Sequence, residues 1–288
     1  MAKQSIQDIK RRIKSVSSTE RITNSMKLIS AGKLRRARKR YEETNENSKF
    51  IANAINDLFS SSIDIPTKYL ESDDEIEKSV YIILTSSKGL CGGFNSNVLK
   101  KAHAMIDAEK ETPYIVAIGS KGLEYFEKRG YEIYSSYLEP PESATFYDAE
   151  ELSKPIIEMF DKGEIGKVVL VYTAFVNSME QTVIERTLLP FHIDIDPESE
   201  KDINITEYEP SAEVVFNYLI PKYVEIQLYS SVIESATCEH AARRMAMENA
   251  TDNARDMLSN LNLQYNRARQ TAITDEIIEI VAGSEAQN

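Results

Sequence analysis

This chain of 288 residues has little of what usually gives a protein chemistry of its own. Two cysteines, Cys91 and Cys238, cannot make a disulfide framework, so a reducing compartment is the simpler expectation. There are three histidines, His103, His192 and His240, and no Cys/His pair has the spacing of a zinc site. No run approaches 18 uninterrupted apolar residues, which predicts no helical membrane span. The first residues lack the short apolar core of a secretory signal. Glycine and proline are missing where they would matter most to helices. None occurs from Lys222 to Ala282, and residues 1–65 hold no proline and one glycine, Gly32.

Those gaps leave room for long helices, and the apolar spacing calls for them. Met247, Ala250, Ala254, Met257, Leu261, Tyr265, Ala268 and Ala272 follow one another at steps of three and four, one stripe on one side of a helix. An unbroken helix over that run would be roughly 90 Å long and needs an equally long partner. The N-terminal arm supplies one. Ile6, Ile9, Ile13 and Val16 make one 3/4-spaced segment and Ile22, Met26 and Ile29 another. A step of six between them, with Thr19 inside it, predicts a stammer-like break in the stripe.

Charge is unevenly spread. Net charge is −12, yet residues 1–40 hold thirteen Lys or Arg against two acids, Asp8 and Glu20. A basic arm on an acidic body seeks an acidic partner. Duplex DNA is one such partner, but zipper proteins place their basic region ahead of the apolar heptads. Here the basic residues and the stripe coincide.

Between the arms the period changes. Residues 66–78 read as an acidic linker. Ser79 to Thr85 is a short apolar, β-branched run suited to a buried strand. A helix to about Lys110, a strand from Tyr114 to Ile118, a short helix from Leu123 to Arg129 and a strand from Tyr131 to Tyr134 follow. Then come a helix from Glu150 to Asp161, a strand from Lys167 to Phe175 and an antiparallel neighbour from Val183 to Leu189. This alternation predicts a small α/β domain over 79–190, with an acidic loop at 191–210 and the C-terminal helix in 211–288.

The turn Gly89-Leu90-Cys91-Gly92-Gly93 invites a phosphate-binding reading that its chemistry does not carry. A phosphate loop places Lys and Ser or Thr after its last glycine, whereas here the lysine comes first and Phe94-Asn95 follow. Nor is there a dinucleotide fingerprint with an acid at the end of the second strand. The turn reads as a strand-to-helix connection or contact loop. Cys91 has no histidine within ten residues. No catalytic signature, cofactor site or metal site is expected.

Three stretches carry a specific resemblance. They are Ile13-Lys14-Ser15-Val16 through Met26 to Lys33-Leu34-Arg35-Arg36-Ala37, Thr85 to Asn95, and Glu239-His240-Ala241-Ala242-Arg243 through Tyr265-Asn266-Arg267-Ala268-Arg269-Gln270 to Val281. Together they resemble the γ subunit of F-type ATP synthases, of the bacterial type. Gly32 departs from the family, which usually carries a better helix former there. The resemblance implies an antiparallel coiled coil of two terminal helices with a Rossmann-like α/β domain between them. It implies a non-catalytic rotor shaft that couples ion flow through the membrane sector to ATP synthesis or hydrolysis. Its implied partners are the α and β subunits of the catalytic hexamer, the ε subunit and the c ring, with no nucleic acid. The alternative is a coiled-coil scaffold or nucleic-acid-binding protein with an inert α/β domain. The resemblance also implies contacts to the catalytic subunits at Met26, Lys33, Arg35, Arg36, Cys91, Arg269, Gln270, Thr274 and Glu276. It puts Met26 near the C-terminal segment, so that Met26→Lys would set a charge beside Arg269 and impair coupling. The expected location is peripheral, on the cytoplasmic face of a bacterial plasma membrane.

Overall fold

The computed structural model describes residues 6–61, 69, 76–177, 179–191, 209 and 211–285. Most of the acidic linker and the acidic loop at 191–210 lie outside them. The described residues form two compact units: those of 6–30 with 244–285, and those within 31–243. Two helices run through both, α1 (Ile6–Ser61) and α5 (Ala212–Glu285, 74 residues).

In the first unit the two helices are antiparallel. Glu20 faces Arg255, the Thr23 and Thr251 hydroxyls lie 2.9 Å apart, and Lys27 faces Glu248. Each step of three or four up α1 is a step of three or four down α5. The seam itself differs from the sequence expectation. Ile22 and Ile29 are exposed, while Thr23 and Ser30 are buried. Covered positions of α1 therefore run Ile9, Ile13, Val16, Glu20, Thr23, Lys27 and Ser30, an unbroken alternation of four and three. No stammer interrupts it. The step of six arose from following hydrophobicity off the seam, whose middle is polar.

The second unit is built on a five-stranded sheet in the order β3-β2-β1-β4-β5. Its strands are β1 (Ser79–Leu84), β2 (Tyr114–Ile118), β3 (Ile133–Tyr137), β4 (Lys167–Phe175) and β5 (Gln181–Leu189). The first four pair in parallel and β5 is antiparallel to β4. Parallel strands must be covered on both faces, and β1 is buried at every residue. Val80, Ile82 and Leu84 meet α4 (Phe146–Asp161) and the α5 residues Phe216, Ile220, Val224 and Leu228 on one face. On the other, Tyr81 and Ile83 meet α2 (Phe94–Ile106) and α3 (Ser120–Glu127).

Local chemistry sets the element ends. Thr145 and Asp148 cap α4 reciprocally, so it starts four residues before the expected Glu150. Gly119, at φ 93°, turns β2 into α3 against β1, and a Cβ there would lie 2.2 Å from the Thr85 carbonyl oxygen. Only glycine fits that approach. The strand order and first crossovers are those of a Rossmann-like sheet.

Candidate functional site

In a Rossmann-like sheet a ligand sits beyond the carboxyl ends of the strands, where the chain order reverses. Here that place follows β1 and adjoins β4, and the chain fills it with its own side chains. The Gly-rich loop is closed by Asn95, whose Oδ1 accepts from Ser86 N at 2.9 Å and whose Nδ2 donates to Ser86 Oγ at 2.7 Å. Leu90 (φ 63°) and Gly92 (φ 59°) are left-handed, which turns the Lys88 and Gly89 carbonyls outward. Arg243 on α5 donates to both, at 3.2 Å each from Nη2. Carbonyls aimed at a guanidinium are the reverse of a phosphate cradle, which needs N–H groups. Cys91, Phe94 and Cys238 pack together behind the loop, with Phe175 and Ala242 against them.

Cys91 therefore needs correction as a contact residue. Its side chain is 2% exposed, with the sulfur 3.4 Å from Asn95 Nδ2. Any partner reaching this loop meets Lys88, Gly89 and Leu90 instead, all exposed.

Arg243 is held by a second buried charge, with Nη1 2.7 Å from Glu239 one turn before it. Burial pushes the Glu239 carboxyl above its ordinary range, and Arg243 opposes that shift. The charge is thus tolerated because of its partner, as buried ion pairs require.

The short 3₁₀ turn Pro141–Ser143 is gripped from α1. Lys33 Nζ lies 2.6 Å from Glu142 Oε1, and Arg40 Nη1 donates to the Glu142 carbonyl at 2.8 Å. Arg40 also donates to the Ala144 carbonyl and to Tyr229 Oη, the latter at 2.8 Å. His240 lies beneath, its Nε2 3.8 Å from Glu142 Oε2, too long for a hydrogen bond. Burial pushes the imidazole down to about 4, with Arg243, Lys33 and Arg36 adding to the shift and Glu142 opposing it. Burial works against the Glu142 charge, but Lys33 and His240 outweigh it and its pKa falls. A further tie is Glu234, whose Oε1 accepts from Phe175 N at 2.9 Å and from Tyr41 Oη at 3.3 Å.

The expected contact residues fall into separate groups. Lys33 and Arg36 line one cleft of about 370 Å³ with Ala37, Arg40, Glu142, Ile233, Ala236 and His240. Arg35 is exposed on the adjoining face of α1. Arg269, Gln270, Thr274 and Glu276 are exposed on α5, and the Thr274 hydroxyl donates to Gln270 O at 2.9 Å. Carried on, the register that pairs Glu20 with Arg255 sets Arg269 opposite the first described turn of α1. From Arg269 to Ala282 every residue of α5 is exposed.

Met26 is not beside Arg269. Its neighbour Lys27 faces Glu248, about twenty residues or roughly 30 Å along α5 from Arg269. A resemblance between segments carries no register, and the register decides this. Glu142, Arg40, His240 and Arg243 were not singled out as functional, because what each does depends on a partner far away in sequence. For Glu239 and Arg243 one sign was available: an opposite-charge pair spaced i, i+4 inside an Ala-rich helical stretch.

Among the described residues no helix is long and apolar enough to cross a membrane, and no cluster of His, Cys, Asp and Glu could hold a metal ion.

Comparison with known proteins covers nearly the whole chain. Residues 5–287 match a family model described as ATP synthase. The ATP synthase gamma chain of Alkaliphilus metalliredigens is 44% identical, over 98% of this chain and 98% of that protein. That of Clostridium acetobutylicum is 37% identical, over 96% of each. An Acetobacterium woodii relative described as "ATP synthase gamma chain, sodium ion specific" is 38% identical over 99% of each. Among solved structures, the rotor of Euglena gracilis mitochondrial ATP synthase matches with a TM-score of 0.68 at 17% identity, over 93% of this chain and 98% of that one.

Proposed function

The chain belongs to the ATP synthase gamma-chain family, non-catalytic stalk subunits, and from that premise we propose how its two units serve as the central rotor shaft. The shaft carries torque between a c ring and a hexamer of α and β subunits, with ε at its foot. It belongs on the cytoplasmic face of a bacterial plasma membrane, held there through the complex.

The observation that carries this reading is the last stretch of α5. Ile273, Ile277, Ile278, Ile280 and Val281 are all about half exposed or more. A lone helix does not keep five large aliphatics in water unless a partner covers them. Arg269, Ile273, Glu276 and Ile280 share one face by their spacing, and Gln270, Thr274, Ile277 and Val281 share the next. Each face thus mixes apolar surface, which suits rotation in a sleeve, with polar groups that bind at some angles and not at others. Such differential contact is what lets a rotor bias the state of each catalytic subunit. Arg35, Arg36 and the exposed rim of the Lys88–Leu90 loop supply further contact in the second unit.

The test is reconstitution with α and β subunits of the same source. The chain alone is expected to hydrolyse no ATP. One copy per three β subunits is expected to yield rapid turnover. Both cysteines are buried, so a bead for observing rotation needs a cysteine introduced at exposed Lys128. ATP hydrolysis by the chain alone, or failure to enter the hexamer, would sink the assignment.

A further inference from the structure

The cleft on the second unit, to which the shaft reading assigns only an outer contact at Arg36, has the chemistry of a small-ligand site. One wall is a single face of α1, Lys33, Arg36, Ala37 and Arg40, spaced i, i+3, i+4 and i+7. The other is a face of α5, Ile233, Ala236 and His240, and Glu142 closes one side. Three cations face one carboxylate, leaving the cleft positive.

Two of the cations are already engaged, Lys33 by the Glu142 carboxylate and Arg40 by two carbonyls and Tyr229. Arg36 has no partner among the described residues, and its side chain stands in the cleft wall. Lys33 has three N–H donors and gives one to Glu142. The base of the cleft adds a second, independent sign. His240 is 2% exposed, yet neither ring nitrogen has a hydrogen-bond partner. Leaving a buried polar group unpaired carries the cost of its lost hydration. A guest that pairs the imidazole recovers that cost. Burial keeps the ring neutral near pH 7, so it offers one N–H donor and one lone pair.

We propose that this cleft is a binding site for a small phosphate-type anion, inorganic phosphate or pyrophosphate, held by Arg36 and Lys33 with His240 at its base. A guanidinium matches two phosphate oxygens at once. A partly protonated phosphate can also pair the imidazole nitrogen that faces it in either tautomer, accepting from an N–H or donating to a lone pair, whereas chloride can only accept.

The test uses the full chain and three probes at matched ionic strength: inorganic phosphate, pyrophosphate and sodium chloride. Binding is read by calorimetry and by the ring nitrogen resonances of His240, assigned by their loss in His240→Gln. With three histidines in the chain the assignment is direct. Phosphate or pyrophosphate is expected to bind saturably and move the His240 ring signals, with chloride doing neither. Arg36→Ala, on an exposed residue, leaves folding intact and is expected to weaken binding about tenfold or more, with Arg36→Lys in between. Arg35→Ala, one residue away on another face, is expected to leave it unchanged. Equal losses in Arg35→Ala and Arg36→Ala would mean diffuse surface attraction and overturn the proposal. So would an unmoved His240 at millimolar anion. If a glutamate-rich peptide moved His240 while phosphate did not, the cleft would be a reader of protein segments and the proposal would fall. The measurement needs no other subunit, so its failure leaves the shaft reading standing.

Discussion

α5 contains two stretches of the same helix with opposite fates. From Ser230 to Ala241 every residue but Glu234 is buried, and from Arg269 to Ala282 every residue is exposed. Hydrophobicity alone would reverse the assignment. The buried stretch is mostly Ser, Ala, Thr and Cys, whereas the exposed one carries four isoleucines and a valine. Small residues let neighbouring backbones and the Gly-rich loop approach from all sides, and charges such as Glu239 and Arg243 are admitted because they are paired. The exposed stretch presents large aliphatics that no described part of its own chain covers. What a helix buries within its chain and what it keeps for a partner are separate questions, and residue size answers the first better than polarity does.

The comparison breaks first at Arg243. Arg243→Met keeps the volume but strands Glu239 and two loop carbonyls, and is expected to cost about 3–5 kcal/mol in chemical denaturation. In contrast, Arg269→Met on the exposed stretch should change stability by less than about 0.5 kcal/mol. Similar losses at the two arginines would erase the distinction.

Acid should act unevenly as well. His240 sits at about 4 in the fold against an ordinary value of 6.5, so the unfolded chain binds the extra proton between those values. Stability contributed by the neutral ring is therefore present above pH 6.5 and lost as pH falls toward 4. The loss expected from that one group is on the order of 2–3 kcal/mol. Glu142, lowered, adds to the loss below its ordinary value, whereas Glu239, raised, works the other way. His240→Gln should flatten the curve between 6.5 and 4. Hydrogen exchange followed by peptide should show residues 31–243 loosening before the helical pair. Simultaneous loosening would mean that the buried cluster is not the acid-sensitive part.

The polar seam of the first unit comes next. Thr251→Val keeps the shape but removes the contact with Thr23, and the expected cost is about 1 kcal/mol. Double substitution of both threonines to valine should recover most of it, since neither side is then left unpaired.

Much of this was legible in the sequence. Tyr114–Ile118 and Lys167–Phe175 have the bounds their apolar runs predict, because a buried parallel strand announces itself by composition. Absence of glycine and proline gave the long helices, although α5 begins before Pro221 and accommodates it. The seam through Thr23 and Ser30 was not legible, since period counting follows apolar residues and these positions are polar. The ties from Lys33 and Arg40 to the Glu142 turn span more than a hundred residues, and no local pattern encodes them. Exposure of Arg269, Gln270, Thr274 and Glu276 agrees with a contact role, but burial of the Cys91 thiol could be read only once Arg243 was placed on the loop.

The smallest effect expected is also the sharpest on register. Met26 is half-buried beside Lys27, and Lys27 lies 4.0 Å from Glu248. A lysine at position 26 adds a second cation competing for Glu248, at a cost of a few tenths of a kcal/mol. The register makes Met26→Lys non-additive with Glu248→Gln and additive with Arg269→Ala, which lies roughly 30 Å away along the helix. Double-mutant cycles on stability and on ATP-driven ion pumping read the two cases separately. Coupling of Met26→Lys to Arg269 in the isolated chain would contradict the antiparallel register set by Glu20–Arg255, Thr23–Thr251 and Lys27–Glu248. Coupling seen only in the assembled complex would mean that a partner subunit bridges the two positions, with the helical pair itself unchanged.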